Sequence, residues 1–330
     1  MMYTTTTISS ASPAVDYVIN SLEPNMITVG WIKASTNVTV NVANAANTLV
    51  WNVYKSPSAC NSIGKDFYLG IGWDNASNAN IAMTLFENWD STANTCTGYA
   101  PNFRLGASTI QTPNSWCNNW ASPIGGDPVS NAAHSITIGT NKLSTTSQVC
   151  YHSVTIDRVV TFSANSAALT TGHSYYGGIY DRFLSASTDT YPIAVMNFIG
   201  ATWSNGPNAA AGNQSNYIGF TPREYYGSGG SNMWVAGAGT PLNVITNSAT
   251  NEIYSNRQTT SRVILGGAAS SASAGNLRGL LKDIYYCGIT GTVGDTISLT
   301  INGTAYTATL LRNSTLNNSY TSCYAYVLQV

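Results

Sequence analysis

Apolar residues recur along the chain with two different periods, and the first belongs to a helix. Ala14, Val15, Val18, Ile19 and Leu22 fall at i, i+1, i+4, i+5 and i+8, a stripe that a 3.6-residue repeat turns to one side. Ser12 stands as an N-cap, Pro13 opens the first turn with its preset φ, Asp16 lies in that turn and Pro24 supplies a stop. The spacing predicts one short helix over 13–22. Almost everything after it has the period of strands. Asn37 to Val42, Leu49 to Tyr54, Phe67 to Trp73, Ile81 to Phe86, Ser135 to Ile138 and Ile193 to Ile199 are short, rich in β-branched or aromatic residues, and separated by Gly, Pro, Asn and Ser. The longest alternation runs from Cys150 to Phe162, with Cys150, His152, Val154, Ile156, Val160 and Phe162 on one face and Tyr151, Ser153, Thr155 and Asp157 on the other. It predicts a single half-buried strand.

Near the C-terminus, Thr296 to Ile301 and Thr304 to Leu311 flank Asn302-Gly303, the pair that best tolerates the positive φ values of a type I′ hairpin. Asp283 to Ile289 and Cys323 to Val330 bracket the hairpin, so about four strands should close the chain as a small antiparallel sheet. The expected fold is mainly β: an antiparallel β-sandwich-like body with one short N-terminal helix and that C-terminal sheet. It divides into a β-rich main domain over 1–200, a connecting region rich in Gly, Ser and Asn over 201–265, and the closing sheet over 266–330. Two long polar stretches, Ser91 to Gly126 and Ser204 to Gly239, read as loops, and loops of that length usually serve a contact or a function. No tandem repeat is evident.

Composition narrows the functions available. Of 330 residues only 27 are charged, 13 basic and 14 acidic, so 8% stands against the roughly 25% usual for soluble domains. Hydroxyls and amides take the place of charge: 37 Ser, 40 Thr and 35 Asn make up about a third of the chain. A net charge of −1 leaves little to neutralise phosphates, which argues against nucleic acid as a ligand. A hydrophobic fraction of 43% with 20 Tyr and 8 Trp is ample for a core and unlike a disordered chain. No apolar run reaches the 18 or so residues of a membrane span, and Met1 to Ser12 lacks the basic and apolar regions of a secretory signal, so synthesis in a cytoplasm is expected. The six sequons, at Asn37, Asn75, Asn213, Asn302, Asn313 and Asn317, follow from the abundance of Asn, Ser and Thr.

Candidate chemistry is sparse. The six Cys, at 60, 96, 117, 150, 287 and 323, contain no C-x-x-C and read mostly as reduced thiols. Cys287 and Cys323 belong to the closing sheet, where they are either a bridge across neighbouring strands or two small buried apolar side chains. His152, in strand register beside Cys150, reads as packed or hydrogen-bonded. His134 and His173 stand in polar turns with no partner at metal-ligand spacing, so no metal and no cofactor are expected. Nucleophile elbows, phosphate loops and zinc-protease motifs are missing. A sugar-cleaving pair of carboxylates would have to come from Asp74, Glu87 and Asp90, which read more simply as surface turn residues. The run Asp74 to Asn80 places oxygens at alternate positions but has one carboxylate and no closing Glu, unlike a calcium loop. Aromatic rings beside amides suit glycans: Tyr99, Trp116 and Trp120 in the first long loop and Tyr225 and Tyr226 in the second are the candidate ligand-binding residues. The simpler reading of the same rings is as core or subunit-interface anchors.

A set of ordered blocks adds a resemblance. An opening helix followed by Gly30-Trp31, then Trp51-Asn52-Val53-Tyr54-Lys55-Ser56-Pro57, then Gly64-Lys65-Asp66-Phe67-Tyr68-Leu69-Gly70, precede Gly177-Gly178-Ile179-Tyr180 and Tyr191-Pro192 with its apolar strand. Gly275-Asn276-Leu277-Arg278-Gly279-Leu280 then leads through Tyr285-Tyr286-Cys287-Gly288 into the Asn302-Gly303 hairpin and a Tyr-rich end. In this order the chain resembles a family of tailed-bacteriophage virion structural proteins, found among myophages and related phages, that accompany the neck and tail. The resemblance implies a non-enzymatic part, present in several copies at the neck, collar or tail. Its partners would be copies of itself and other virion proteins, and its place the virion after synthesis in the host cytoplasm. The two long loops depart most from the family. The alternative expectation is a receptor- or glycan-binding module of the tail or baseplate, with a host-surface glycan as partner. Near-zero net charge, which favours association, suits either.

Overall fold

The structure, a computed structural model, describes residues 2–41, 48–57, 64, 66–74, 80–86, 88–96, 141–142, 148–164, 174–183, 192–197, 219–220, 234–236, 246–247, 252–253, 260–266, 277–287, 295–301, 303–314 and 324–329. In chain order, β1 (Met2–Ile8) precedes the helical segment, and β2 (Ile32–Asn41), β3 (Thr48–Lys55), β4 (Tyr68–Asp74) and β5 (Asn80–Phe86) follow it. Short pairs β6 (Trp89–Asp90), β7 (Thr95–Cys96) and β8 (Asn141–Lys142) lead to β9 (Gln148–Val154), β10 (Arg158–Ala164), β11 (Ser174–Ile179), β12 (Asp181–Arg182) and β13 (Ile193–Asn197). Beyond these lie β14 (Gly219–Phe220), β15 (Trp234–Ala236), β16 (Thr246–Asn247), β17 (Glu252–Ile253), β18 (Thr260–Gly266), β19 (Leu277–Cys287), β20 (Thr296–Ile301), β21 (Thr304–Ser314) and β22 (Tyr324–Gln329).

The protein is mainly β, and every described strand pair is antiparallel. One sheet has the order β1-β9-β10-β11-β13-β14 and a second β2-β3-β4-β5-β8. They meet through β5, which contacts β11 and β13, with Met83 and Leu69 set against Gly177, and between them the two sheets and the helical segment bury Trp31, Trp51, Phe67, Leu69, Ile71, Met83, Val160 and Tyr176. Trp31 and Phe67 pack edge to face with ring centroids 5.6 Å apart. The third sheet, β15-β18-β19-β22-β21-β20, contains the four strands expected at the C-terminus, with β22 inserted between β19 and β21. It also gains β12 alongside β19, so Asp181 pairs with Leu280 and Arg182 with Gly279. Among the described residues no helix is long and apolar enough to cross a membrane.

The helical segment is longer than the spacing predicted. α1 (Pro13–Tyr17) runs into a π turn over Val18–Leu22 and on into α2 (Glu23–Val29). Pro24 does not stop it, because proline at the start of a helical stretch lacks an N–H that is unpaired there anyway. The π turn carries the backbone past it, with the Glu23 N–H reaching back to the Val18 carbonyl. The stop is Gly30, left-handed at φ 109: its N–H bonds the Ile27 carbonyl and the Trp31 N–H bonds that of Met26, each at 3.0 Å, a Schellman closure. Ala14, Tyr17, Val18, Leu22 and Met26 are buried along one face.

Three more expectations are revised. Cys150 to Phe162 is a hairpin, β9 and β10, because Thr155 and Asp157 close a turn: the Thr155 N–H donates to the Arg158 carbonyl at 2.9 Å and the Thr155 hydroxyl to Asp157 Oδ1 at 2.6 Å. Ile156, expected on the buried face, is 43% exposed at the tip. β1 comes from a run of β-branched threonines that pairs in register with β9 and was not anticipated. Within the stretches read as loops, Trp89–Asp90 pairs with Thr95–Cys96, and the apolar triplet Trp234 to Ala236 joins β18. Ser135 to Ile138, Asn302 and Cys323 lie outside the described residues; on the backbone Cys287 pairs with Ala325.

The third sheet approaches β12 so closely that a methyl group has no room. A Cβ on Gly279 would lie 2.2 Å from the Asp181 carbonyl oxygen and 2.6 Å from Tyr180 Cδ2, and the nearest obstacle is backbone. Gly279→Ala should therefore lower stability by about 3 kcal/mol in urea unfolding, while Ala305→Ser on an exposed strand position should change it by no more than about 0.5 kcal/mol.

Candidate functional site: a charge cluster clasping two sheets

Few charges are present, so where they gather is informative. Five of them, Asp157, Arg158, Asp181, Lys282 and Asp283, converge where β10, β12 and β19 meet. The turn after β9 presents Asp157. Arg158, its neighbour at the start of β10, donates from Nη1 to Asp157 Oδ1 at 2.6 Å and from Nη2 to Asp283 Oδ2. Lys282 Nζ donates to Asp157 Oδ2 at 2.7 Å and lies 3.7 Å from Asp181 Oδ1. Backbone geometry holds the groups in place. Asp283 adopts a left-handed φ of 58. Gly178, opposite Arg158, has φ 150, and a Cβ there would meet the Asp157 carbonyl oxygen at 2.3 Å. The Ile179 N–H then donates to that carbonyl at 2.9 Å, and the buried Tyr176 hydroxyl donates to the Ile179 carbonyl.

The electrostatics are those of a compensated cluster. Burial alone would push the Asp157 carboxyl up, but the Arg158 charge, the Lys282 and Thr155 hydrogen bonds and the Lys282 charge outweigh it and hold the carboxyl below the ordinary aspartate value. Three carboxylates face two cations, so Asp157 and Asp283 are paired within the cluster and one negative charge is left over. Among the described residues no group of three or more His, Cys, Asp and Glu could hold a metal ion. What the cluster can do is mechanical: it ties the first sheet to the third through one carboxylate that answers to both.

A second polar network lies under the helical segment. Glu23 accepts from Lys33 Nζ at 2.9 Å, from Asn52 Nδ2 at 3.1 Å and from the Tyr54 hydroxyl. Burial first, then the Glu23 hydrogen bond and charge, raise Tyr54 far above the ordinary phenol value. A third centres on His152, fully buried between Tyr17 and Asn25, which approach its Nδ1 and Nε2 at 3.3 and 2.6 Å. Cys150, His152 and Asn25 are the residue types of a cysteine-nucleophile triad, yet both ring nitrogens are committed to Tyr17 and Asn25. Burial pushes the Cys150 thiol up to about 12, the opposite of an activated thiolate.

Tyr99, Trp116, Trp120, Tyr225 and Tyr226 lie outside the described residues, as do Glu87, His134 and His173. Asp90 accepts from the Thr92 and Ala93 N–H groups at 2.8 and 3.0 Å. These bonds lower its pKa, whereas a general acid would need it raised. The clasp itself was missed, although it left a signal: Asp157-Arg158, Asp181-Arg182 and Lys282-Asp283 are adjacent opposite charges in a chain that has few. No protein-family model matches the chain, and no curated protein matches it.

Asp157→Asn leaves Arg158 and Lys282 against a neutral amide, and should cost about 2 kcal/mol, below the usual 3–5 for a buried pair because Lys282 is partly exposed. The sign of its pH dependence follows from the lowered carboxyl: the contribution is complete above the unfolded aspartate pKa near 3.8 and is lost as pH falls through the lower native value. Thermal unfolding of the two proteins should accordingly differ at pH 6 and converge toward pH 2.

Proposed function

We propose that this chain is a structural component of a tailed-phage virion, assembled in multiple copies at the neck, collar or tail. The observation that carries the reading is where polar groups are spent. The described ion pairs include the inward clasp at Asp157 and the Glu23–Lys33 pair, while one face of the closing hairpin shows Thr296, Ser298, Thr300, Ala305 and Thr307, all exposed and uncharged. β20 is also an edge: β21 is its one partner among the described residues, and the pairing between them runs without a bulge. Proteins that remain monomeric guard such an edge with Lys, Pro or a bulge. β20 has none of the three, and in a symmetric assembly an uncharged edge meets its copy without like-charge repulsion.

The blocks that carry the phage resemblance support the same reading. They include the helix stop at Gly30-Trp31, the central strand around Trp51, and Gly178 and Gly279 at the clasp. These residues build the scaffold, and the resemblance therefore speaks for a shared subunit architecture.

Two measurements test the proposal. Purified particles of the phage that encodes this chain should contain it in fixed stoichiometry by mass spectrometry and show it at the neck, collar or tail by cryo-electron microscopy; its absence from particles would overturn the reading. The isolated protein should form oligomers by light scattering, and Ser298→Lys with Thr300→Lys should shift them toward monomers while changing stability by no more than about 0.5 kcal/mol. Oligomers indifferent to both lysines would remove β20 from the contact.

A further inference from the structure

The hydrogen bonds around His152 fix where its proton sits. Asn25 Nδ2 donates to Thr4 Oγ1 at 2.7 Å and lies 2.6 Å from His152 Nε2, so Nε2 accepts and the single proton of the neutral ring is on Nδ1. That N–H points to the Tyr17 oxygen at 3.3 Å, and the Tyr17 hydroxyl is left to donate to the Tyr151 carbonyl at 3.4 Å. Each donor has an acceptor. A second ring proton, on Nε2, would meet the Asn25 amide N–H head on.

Among the described residues no neighbouring group compensates an imidazolium. From the helical segment Tyr17 faces the ring, while Asp16 accepts from Asn20 and Glu23 is taken by Lys33, Asn52 and Tyr54. Thr4 of β1 and Thr161 of β10 are the cross-strand partners of His152 and do not titrate, and the buried Thr161 hydroxyl has no partner among the described residues. Tyr3 lies opposite Ser153 on β1. On β9 itself, burial raises Cys150 and Tyr151, as it does Tyr17, so all stay neutral. Burial is the one cause acting on His152, and it lowers the ring to about 4.

We propose that His152 is an acid-operated clasp: a proton at Nε2 forces the Asn25 amide to turn over, and the helical layer and β1 lift together from β9 while the other sheets stay formed. The opening is local because β1 is a sheet edge whose one described strand partner is β9, and edges open at lower free energy than central strands. The direction follows from linkage. A histidine whose native pKa lies below the unfolded value near 6.5 contributes no penalty above that value, and destabilises progressively as pH falls from about 6.5 to 4.

Hydrogen exchange of the full chain at pH 7.0 and 4.5, corrected for intrinsic rates, tests this. Peptides covering 2–8 and 13–29 should lose protection by at least about tenfold at the lower pH, while those covering 48–55 and 68–74 keep theirs. Asn25→Asp, which gives the imidazolium a carboxylate to bond, should abolish the difference. Nitrogen NMR of labelled histidine should find the Nδ1–H tautomer at pH 7. Retained protection at pH 4.5, equal loss across all four segments, an acid response unchanged in Asn25→Asp, or an Nε2–H tautomer would each overturn the proposal. Should Asn25→Asp fail to fold, the wild-type peptides and the tautomer decide it.

Discussion

Asp157 is the point on which the arrangement of the sheets depends. Its carboxylate is shared between its neighbour Arg158 at the start of β10 and Lys282 on the third sheet, and its carbonyl receives the Ile179 N–H. The glycines facing this region, Gly178 and Gly279, leave the backbones too close for a side chain to intervene. Sterics and charge act on the same few ångströms. The glycines permit the approach, and the ion pairs penalise any separation that would leave a half-buried charge without its counterpart. Neither would suffice alone, since a close backbone approach without ion pairs can slide and an ion pair without close packing is solvated.

Scarcity of charge gives this cluster its weight. In a protein of ordinary composition five ionised groups at one junction would be a small share of the surface, whereas here they are a sizeable part of all the charge in the chain. The consequence runs outward. Strand faces left to Thr, Ser and Asn are hydrated weakly enough to be covered by another subunit at little desolvation cost, yet polar enough to remain soluble before that happens. The inward use of charge and the outward use of hydroxyls are two sides of one composition.

The sequence made the strands legible wherever alternation was bounded by turn residues: Leu49 to Tyr54, Phe67 to Trp73 and Ile81 to Phe86 appear within a residue of their expected bounds, and the Gly303 hairpin does too except that its second strand runs on to Ser314. It was less legible where a local hydrogen bond overrode the pattern. Thr155 and Asp157 fit a continuous alternation, and the turn they make depends on side-chain oxygens bonding neighbouring backbone and side-chain groups, which periodicity does not register. The clasp was hidden for a different reason: Asp157 and Lys282 are 125 positions apart, and no local pattern announces a pairing made by topology. His152 was expected to be packed or hydrogen-bonded and is both, but its partner Asn25 lies beyond Pro24, where the helix was expected to have ended.

That last residue depends on the π turn. A π turn accommodates one residue more than the α-helix it interrupts, so α2 is rotated by about 100° relative to a regular continuation of α1. The core face survives this, with Val18, Leu22 and Met26 all buried, and the shifted phase sets Asn25 over His152. Loss of a single residue between 18 and 22 would yield a straighter and more regular helix, and would turn the amide of Asn25 away from the ring. The helical phase, set by one inserted residue, thus decides which side chain meets the buried histidine.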